Sequence, residues 1–190
     1  EKQARVLQLI NMYRVRGHLV ADLDPLGAQN TYFADLDPAA YKLTFWDYDR
    51  EFITGSLMPG IQTATLREIL DILQKTYCEK IGIEYMHIQN SEEKTWLQNK
   101  MEPVKNKPEF NKEIKLRILE KLARAELFEH FIHNRFIGHK RFSIEGSETL
   151  IPVLDLILNE VGDTEIEEVV IGMAHRGRLN VLTNIIGKSH

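Results

Sequence analysis

A chain of 190 residues that is 43% hydrophobic and 27% charged has the make-up of an ordinary globular domain or a little more than one. Its formal net charge of −4 argues against a general nucleic-acid or membrane-surface binder, although basic residues cluster locally. Cys78 is the only cysteine, which excludes an internal disulfide and a cysteine metal cage, and no apolar run approaches the roughly 20 residues of a membrane helix.

The chain opens already in helical period. Val6, Leu9, Ile10, Tyr13 and Gly17 fall on one face, predicting a helix from residue 2 to about residue 20, stopped by the Pro-containing turn "DLDPLG" (Asp22 to Gly27). Residues 28 to 64 show no sustained period and read as an ordered but irregular segment with Trp46 and Phe52 as apolar anchors. Helical spacing returns in Thr65 to Cys78. A short β-rich stretch or tight connection, Ile81 to Ile88, then leads to a helix capped by Asn90 with Glu93 three residues on. After the polar linker Pro103 to Pro108, a long helical pattern runs from Lys112 to about Asn134.

From "GHKRFSIEG" the pattern changes. "TLIPVLDLILNEVG" reads as a helix, "IEEVVIGM" as a strand buried on both faces, and "LNVLTNIIG" as a second helix ending at Gly187. Helix, strand, loop, helix is the start of a parallel α/β layer. The expected fold is therefore α/β overall: a mostly helical region over 1–137, followed over 138–190 by the first strand and helices of an incomplete parallel-sheet domain. A lone parallel strand needs neighbours, so the sequence reads as an internal stretch of a longer protein that is marginal alone.

Two dense patches could carry chemistry. "AHRGR" stands where the expected strand hands over to a helix, a place where open α/β sheets bind ligands. Arg176 and Arg178 suit carboxylate or phosphate, Gly177 lets the backbone turn tightly, and His175 can donate or accept a proton. "GHKRFSIEG" brings His139, Lys140, Arg141, Phe142 and Ser143, an aromatic wall with cations. The plain alternative is two solvated loops in which arginines cap carbonyls. "YRVRGH" has the look of an anion clamp as well, but Arg14 and Arg16 can be a helix's polar face paired with Asp22 and Asp24. His87, among apolar neighbours, reads as a core histidine. No HExxH, P-loop, GxGxxG or nucleophile elbow is present.

The words "YRVRGHLVADLDPLG", "LDP" (Leu36 to Pro38), "YCEKIGIEYMHI", "EEKTWLQNKME", "KRFSIEG", "LIPVLD" and "EVVIGMAHRGRLNVLTNIIGK", in that order, span nearly the whole chain. It resembles the thiamine diphosphate-dependent first, decarboxylating component of the 2-oxoglutarate dehydrogenase complex, and "LTFWDYDREF" looks like its bacterial branch. The resemblance implies a large homodimer that decarboxylates 2-oxoglutarate on thiamine diphosphate and Mg²⁺ and succinylates the lipoyl group of a partner transacylase. It further implies an oxidoreductase of the tricarboxylic acid cycle, in the cytoplasm of a bacterium or the mitochondrial matrix of a eukaryote, with neither nucleic acid nor membrane as partner.

By the same resemblance, Phe142 and His175 contact the 2-oxo acid, His175 is the catalytic group, and Arg176 lies near the cofactor. Arg178 and Lys140 are supporting groups. The family's Gly-Asp-Gly…Asn word, which holds the diphosphate through Mg²⁺, has no counterpart here, so the stretch alone is expected inactive and no metal ligand is assigned in it. The residues leave other readings open: a 2-oxoadipate paralogue, a non-oxidative 2-oxoglutarate decarboxylase, a helical subunit-docking module, or a polyanion site at "HRGR".

Overall fold

The computed structural model describes residues 1–27, 32–57 and 60–189. Residues 28–31, 58 and 59, all within the expected irregular segment, and His190 lie outside the described residues. Packing divides the chain into two compact units, Glu1–Pro108 and Glu109–His190. The division falls in the linker after Pro103, upstream of the expected boundary at residues 137/138. The long helix that begins at Lys112 packs within the second unit.

In the first unit, helix α1 (Lys2–Arg16) buries Val6, Leu9, Ile10 and Tyr13, the stripe its spacing predicts. Each such side chain contributes about 1.5–3 kcal/mol by leaving water. A 3-10 turn (Gly17–Val20) follows α1 and comes against helix α2 (Leu66–Tyr77). A Cβ at Gly17 would sit 2.5 Å from the Tyr77 Cβ, so only glycine permits this approach. Helix α2 starts with a reciprocal cap: the Thr65 hydroxyl accepts from the Glu68 amide, and the Glu68 carboxylate accepts from the Thr65 amide at 2.8 Å. Helix α3 (Ser91–Met101) is capped by Asn90, which accepts from the Glu92 amide at 2.9 Å.

The described residues of the expected irregular segment hold three single 3-10 turns and, reaching one residue past its end, a short antiparallel hairpin, β1 (Glu51–Ile53) with β2 (Thr63–Thr65), in register Phe52 opposite Ala64. Both of those central residues face the core. The outer edge of β1 is covered at one residue by Gln3, whose side-chain amide exchanges two hydrogen bonds with the Ile53 backbone. Phe52 is buried as expected, but Trp46 is 83% exposed and anchors nothing in this unit.

A buried ionic cluster ties α1, α2 and α3 together. The Glu102 carboxylate, wholly inaccessible, accepts from Arg14 Nε (2.7 Å), Arg14 Nη2 (2.9 Å) and the Tyr77 hydroxyl (2.6 Å). The Tyr77 and Tyr85 hydroxyls lie 3.1 Å apart. Burial, reinforced by the charge on Glu102, pushes the Tyr77 phenol far above the ordinary tyrosine range, so it stays a donor. The arginines of "YRVRGH" therefore pair differently from the expected contacts with Asp22 and Asp24. Arg14 goes to Glu102 and Arg16 to Asp35, while Asp22 pairs with Lys80. Loop carboxylates close in sequence lost to partners that folding brings near. His87 is exposed rather than a core histidine.

The second unit is built on α4 (Lys112–Arg135), whose first turn is capped by Asn111 accepting from the Ile114 amide at 2.8 Å. Helix α4 packs against α5 (Leu150–Gly162) and α6 (Arg178–Asn184). Pro152 is tolerated because it lies in the first turn of α5. Asp155 of α5 receives Arg117 (2.6 Å) and Lys121 (2.7 Å) of α4, and these cations hold its carboxyl below the usual range. The core is small: Ala125, Ile144, Ile151 and Val181, with Leu154, Met173 and Ile185 against it.

The segment expected as a doubly buried strand is different. Residues 166–174 have no ladder partner among the described residues, and Val170 is 85% exposed. The sheet described in this chain is the antiparallel hairpin of the first unit. The physical reason is that a parallel strand exists only through its neighbours: β-branched residues fit a pleat but do not make one.

Candidate functional site

The two basic patches meet in the second unit. The Gly177 amide donates to the Phe142 carbonyl at 2.9 Å, and Arg176 Nη1 donates to the Ser143 carbonyl at 3.2 Å. These bonds lay the "HRGR" loop along the "KRFS" loop. They bring the Phe142 and His175 rings to 5.3 Å between centroids, tilted by 34°. The Lys140 ammonium sits over the other ring of the pair, 5.4 Å from the Phe142 centroid.

Gly177 makes the turn possible. Its φ of +72° is in the left-handed region, and a Cβ there would lie 2.9 Å from the Ile144 Cγ1. Gly177→Ala is expected to cost about 1–3 kcal/mol through backbone strain, with further loss from the Ile144 clash. A lowered thermal midpoint accompanied by weakened Phe142–His175 packing would show it; an unchanged midpoint would mean the loop relaxes freely.

Of the sequence-derived site residues, Phe142, His175 and Lys140 come together with their rings or charge toward solvent. Arg176 belongs to the same cluster, yet one of its donors serves a backbone carbonyl. Arg178 turns inward and donates to the Ala174 and Met173 carbonyls, so it closes the loop. The plain reading of arginines as carbonyl caps thus holds in part for Arg176 and well for Arg178. Arg141 is committed to Glu129 and Glu145, while among the described residues neither Lys140 nor Arg176 has a carboxylate partner. The exposed surface around the ring pair is therefore positive, suited to a carboxylate or phosphate.

Two residues that the sequence reading missed lie beneath. Asn180 of α6, fully buried, donates to the Ala125 carbonyl (2.8 Å) and to Glu129 Oε1 (3.1 Å). Glu129 of α4, 3% exposed, also accepts from the Ile144 amide at 3.4 Å. The signal was present: Glu129 falls on the stripe of Ala125, Phe128 and Ile132, where a carboxylate must find partners. The arrangement is an open wall. A cavity of about 480 Å³ in this unit, lined by Phe128, Phe136, Leu179 and Leu182 among others, does not include Phe142, His175 or Arg176. Among the described residues no three His, Cys, Asp or Glu side chains are grouped to hold a metal ion.

The chain is similar along its whole length to a group of curated proteins. It is 48% identical over 190 residues to the 2-oxoglutarate dehydrogenase E1 component of Azotobacter vinelandii, matching 100% of this chain and 20% of that protein. It is 47% identical over 193 residues to the multifunctional 2-oxoglutarate metabolism enzyme of Mycolicibacterium vanbaalenii, again 100% of this chain and 15% of the relative. Over its whole length the chain is similar to one segment of 2-oxoglutarate dehydrogenase E1 components. The 2-oxoglutarate dehydrogenase E1/E2 component of Corynebacterium glutamicum is 48% identical over 193 residues, covering 99% of this chain and 16% of that protein. No family model matches the chain. The chain thus spans about one-fifth or less of the E1 relatives' length. No helix among the described residues is long and apolar enough to cross a membrane.

Proposed function

We propose that the paired loops form one wall of the 2-oxo acid pocket of a thiamine diphosphate-dependent enzyme that decarboxylates 2-oxoglutarate. The observation that carries this reading is the Phe142–His175 ring pair, assembled by backbone bonds between two distant loops and rimmed by Lys140 and Arg176, which have no carboxylate partner among the described residues. It stands in a chain nearly half identical to proteins named for 2-oxoglutarate dehydrogenase.

A dicarboxylate needs positive charge, a donor for its carbonyl oxygen and a surface that excludes water. Lys140 and Arg176 supply the charge. His175 donates a hydrogen bond to the oxygen that gains charge during reaction, where a preorganised donor is most effective. Phe142 shields that contact from water and so strengthens it. The exposed aromatic pair also fits one face of a flat heteroaromatic ring. The same residues do not fit a Mg²⁺–diphosphate group, since they offer no carboxylate cluster. That end of the cofactor belongs, on this reading, to other parts of the longer relatives' chains. When bound, thiamine diphosphate supplies the electron sink for decarboxylation.

The exposed apolar residues of the 166–171 segment and of α5, such as Val170 and Ile157, suit coverage by further strands of a parallel sheet. This would make 138–190 the start of a cofactor-binding domain. We extend the reading to a homodimer that transfers the succinyl group to a lipoyl-bearing transacylase, in line with the joint E1/E2 name of the Corynebacterium relative, and to a bacterial cytoplasm. The test is oxidative decarboxylation by the full-length protein with thiamine diphosphate, Mg²⁺ and an artificial electron acceptor. Turnover preferring 2-oxoglutarate over 2-oxoadipate and pyruvate is expected. Preference for 2-oxoadipate moves the substrate by one methylene, and no turnover of any 2-oxo acid removes the reading.

A further inference from the structure

The loops that carry Phe142 and His175 do not hold their positions by their own contacts alone. Beneath them, Glu129 of α4 and Asn180 of α6 form a buried amide–carboxylate pair. Asn180 uses both hydrogens of its amide, one on the Ala125 carbonyl at 2.8 Å and one on Glu129 Oε1 at 3.1 Å. Its own oxygen accepts from the Asn184 side chain at 2.7 Å. Glu129 reaches the first loop through the Ile144 amide at 3.4 Å, and its other oxygen faces Arg141 Nε at 3.9 Å. Arg141 Nη1 in turn donates to the Glu129 backbone carbonyl at 3.1 Å.

One carboxylate is thereby joined to both sides of the candidate site: to residues 141–144 directly, and to the loop of residues 175–177 through the helix that loop starts. Ile144, 1% exposed, is also the side chain against which Gly177 packs. A buried carboxylate and a buried amide are costly unless each satisfies the other, and so the pair favours the arrangement of the two loops in which it forms.

We propose that Glu129 and Asn180 are positioning residues for the substrate wall, fixing the Phe142–His175 separation without touching substrate. The kinetic part of this proposal rests on the 2-oxo acid reading; the structural part does not. Asn180→Asp in the full-length protein removes the donor and sets two carboxylates against each other. It is expected to speed amide exchange at Ile144 and Gly177 about tenfold or more, and to lower kcat/KM about tenfold to a hundredfold, as small misplacements of reacting groups do. The swapped pair E129Q/N180D restores one amide facing one carboxylate but leaves the Ala125 carbonyl without its donor, and is expected to recover part of both losses.

A structural role alone would lower the melting temperature, speed exchange at the core amides of the unit uniformly rather than at Ile144 and Gly177 in particular, and leave the kcat/KM of folded protein unchanged, which would overturn the proposal. A swap no better than Asn180→Asp alone overturns it equally. If Asn180→Asp fails to fold, the swap decides: a folded swap supports the pairing, and a failure to fold refutes it. If the unsubstituted protein turns over no 2-oxo acid, the functional reading falls, and exchange alone decides the positioning role.

Discussion

His175→Ala in the full-length protein is expected to lower kcat for 2-oxoglutarate by about 10²–10³, the usual cost of losing one donor to a developing oxyanion. The expectation follows from geometry. His175 is exposed beside Phe142, is held by the Gly177 and Arg176 bonds to the neighbouring loop, and lies on the surface rather than in the core. Removing the imidazole therefore leaves the core of Ala125, Ile144, Ile151 and Val181 intact, and the melting temperature should barely move. Steady-state kinetics and a thermal melt on the same preparation separate the possibilities. Full activity in the variant would reduce the loop to a carbonyl-capped turn. A large drop in melting temperature would make His175 a packing residue.

Glu102→Ala should be the most damaging single change in the first unit. Truncation strands the Arg14 guanidinium, whose side chain is only 11% exposed, and leaves the Tyr77 hydroxyl with Tyr85 alone. Breaking a buried ion pair from one side typically costs about 3–5 kcal/mol, mostly as the uncompensated charge. Urea denaturation should show a midpoint shift of that size. The double variant R14M/E102L, which removes both charges, should recover much of it. If Glu102→Ala shifts the midpoint no more than a surface substitution does, solvent reaches the cluster and the ionic tie between α1, α2 and α3 is not structural.

Much of the helical architecture was legible because it is local. α1, α2 and α4 follow from apolar spacing, and Thr65, Asn90 and Asn111 cap the starts of α2, α3 and α4. The β1–β2 hairpin was not legible, since two three-residue strands are too short to show a period. Trp46 misled because size alone does not bury a side chain; Phe52, alternating inward on a strand, was the true anchor. The run from Ile166 to Ile171 has the residues of a buried strand without neighbours among the described residues, a property no local pattern reports.

The site divides in the same way. Composition marked the loops, with Phe142, His175, Arg176 and Lys140 all visible as chemistry-bearing residues. Their convergence depends on the Gly177–Phe142 bond, which spacing cannot reveal. Glu129, on the apolar stripe of α4, carried a signal, whereas Asn180 reads as an ordinary polar position of a short helix until its partner is known.

The most direct test is the structure of the full-length protein with its cofactor and a non-reacting 2-oxoglutarate analogue. The account predicts the analogue's 2-oxo carboxyl end within about 4 Å of both His175 and Phe142, with the His175 imidazole donating to one of its oxygens. An analogue bound elsewhere, with the two rings facing solvent or buried against another domain, would contradict it.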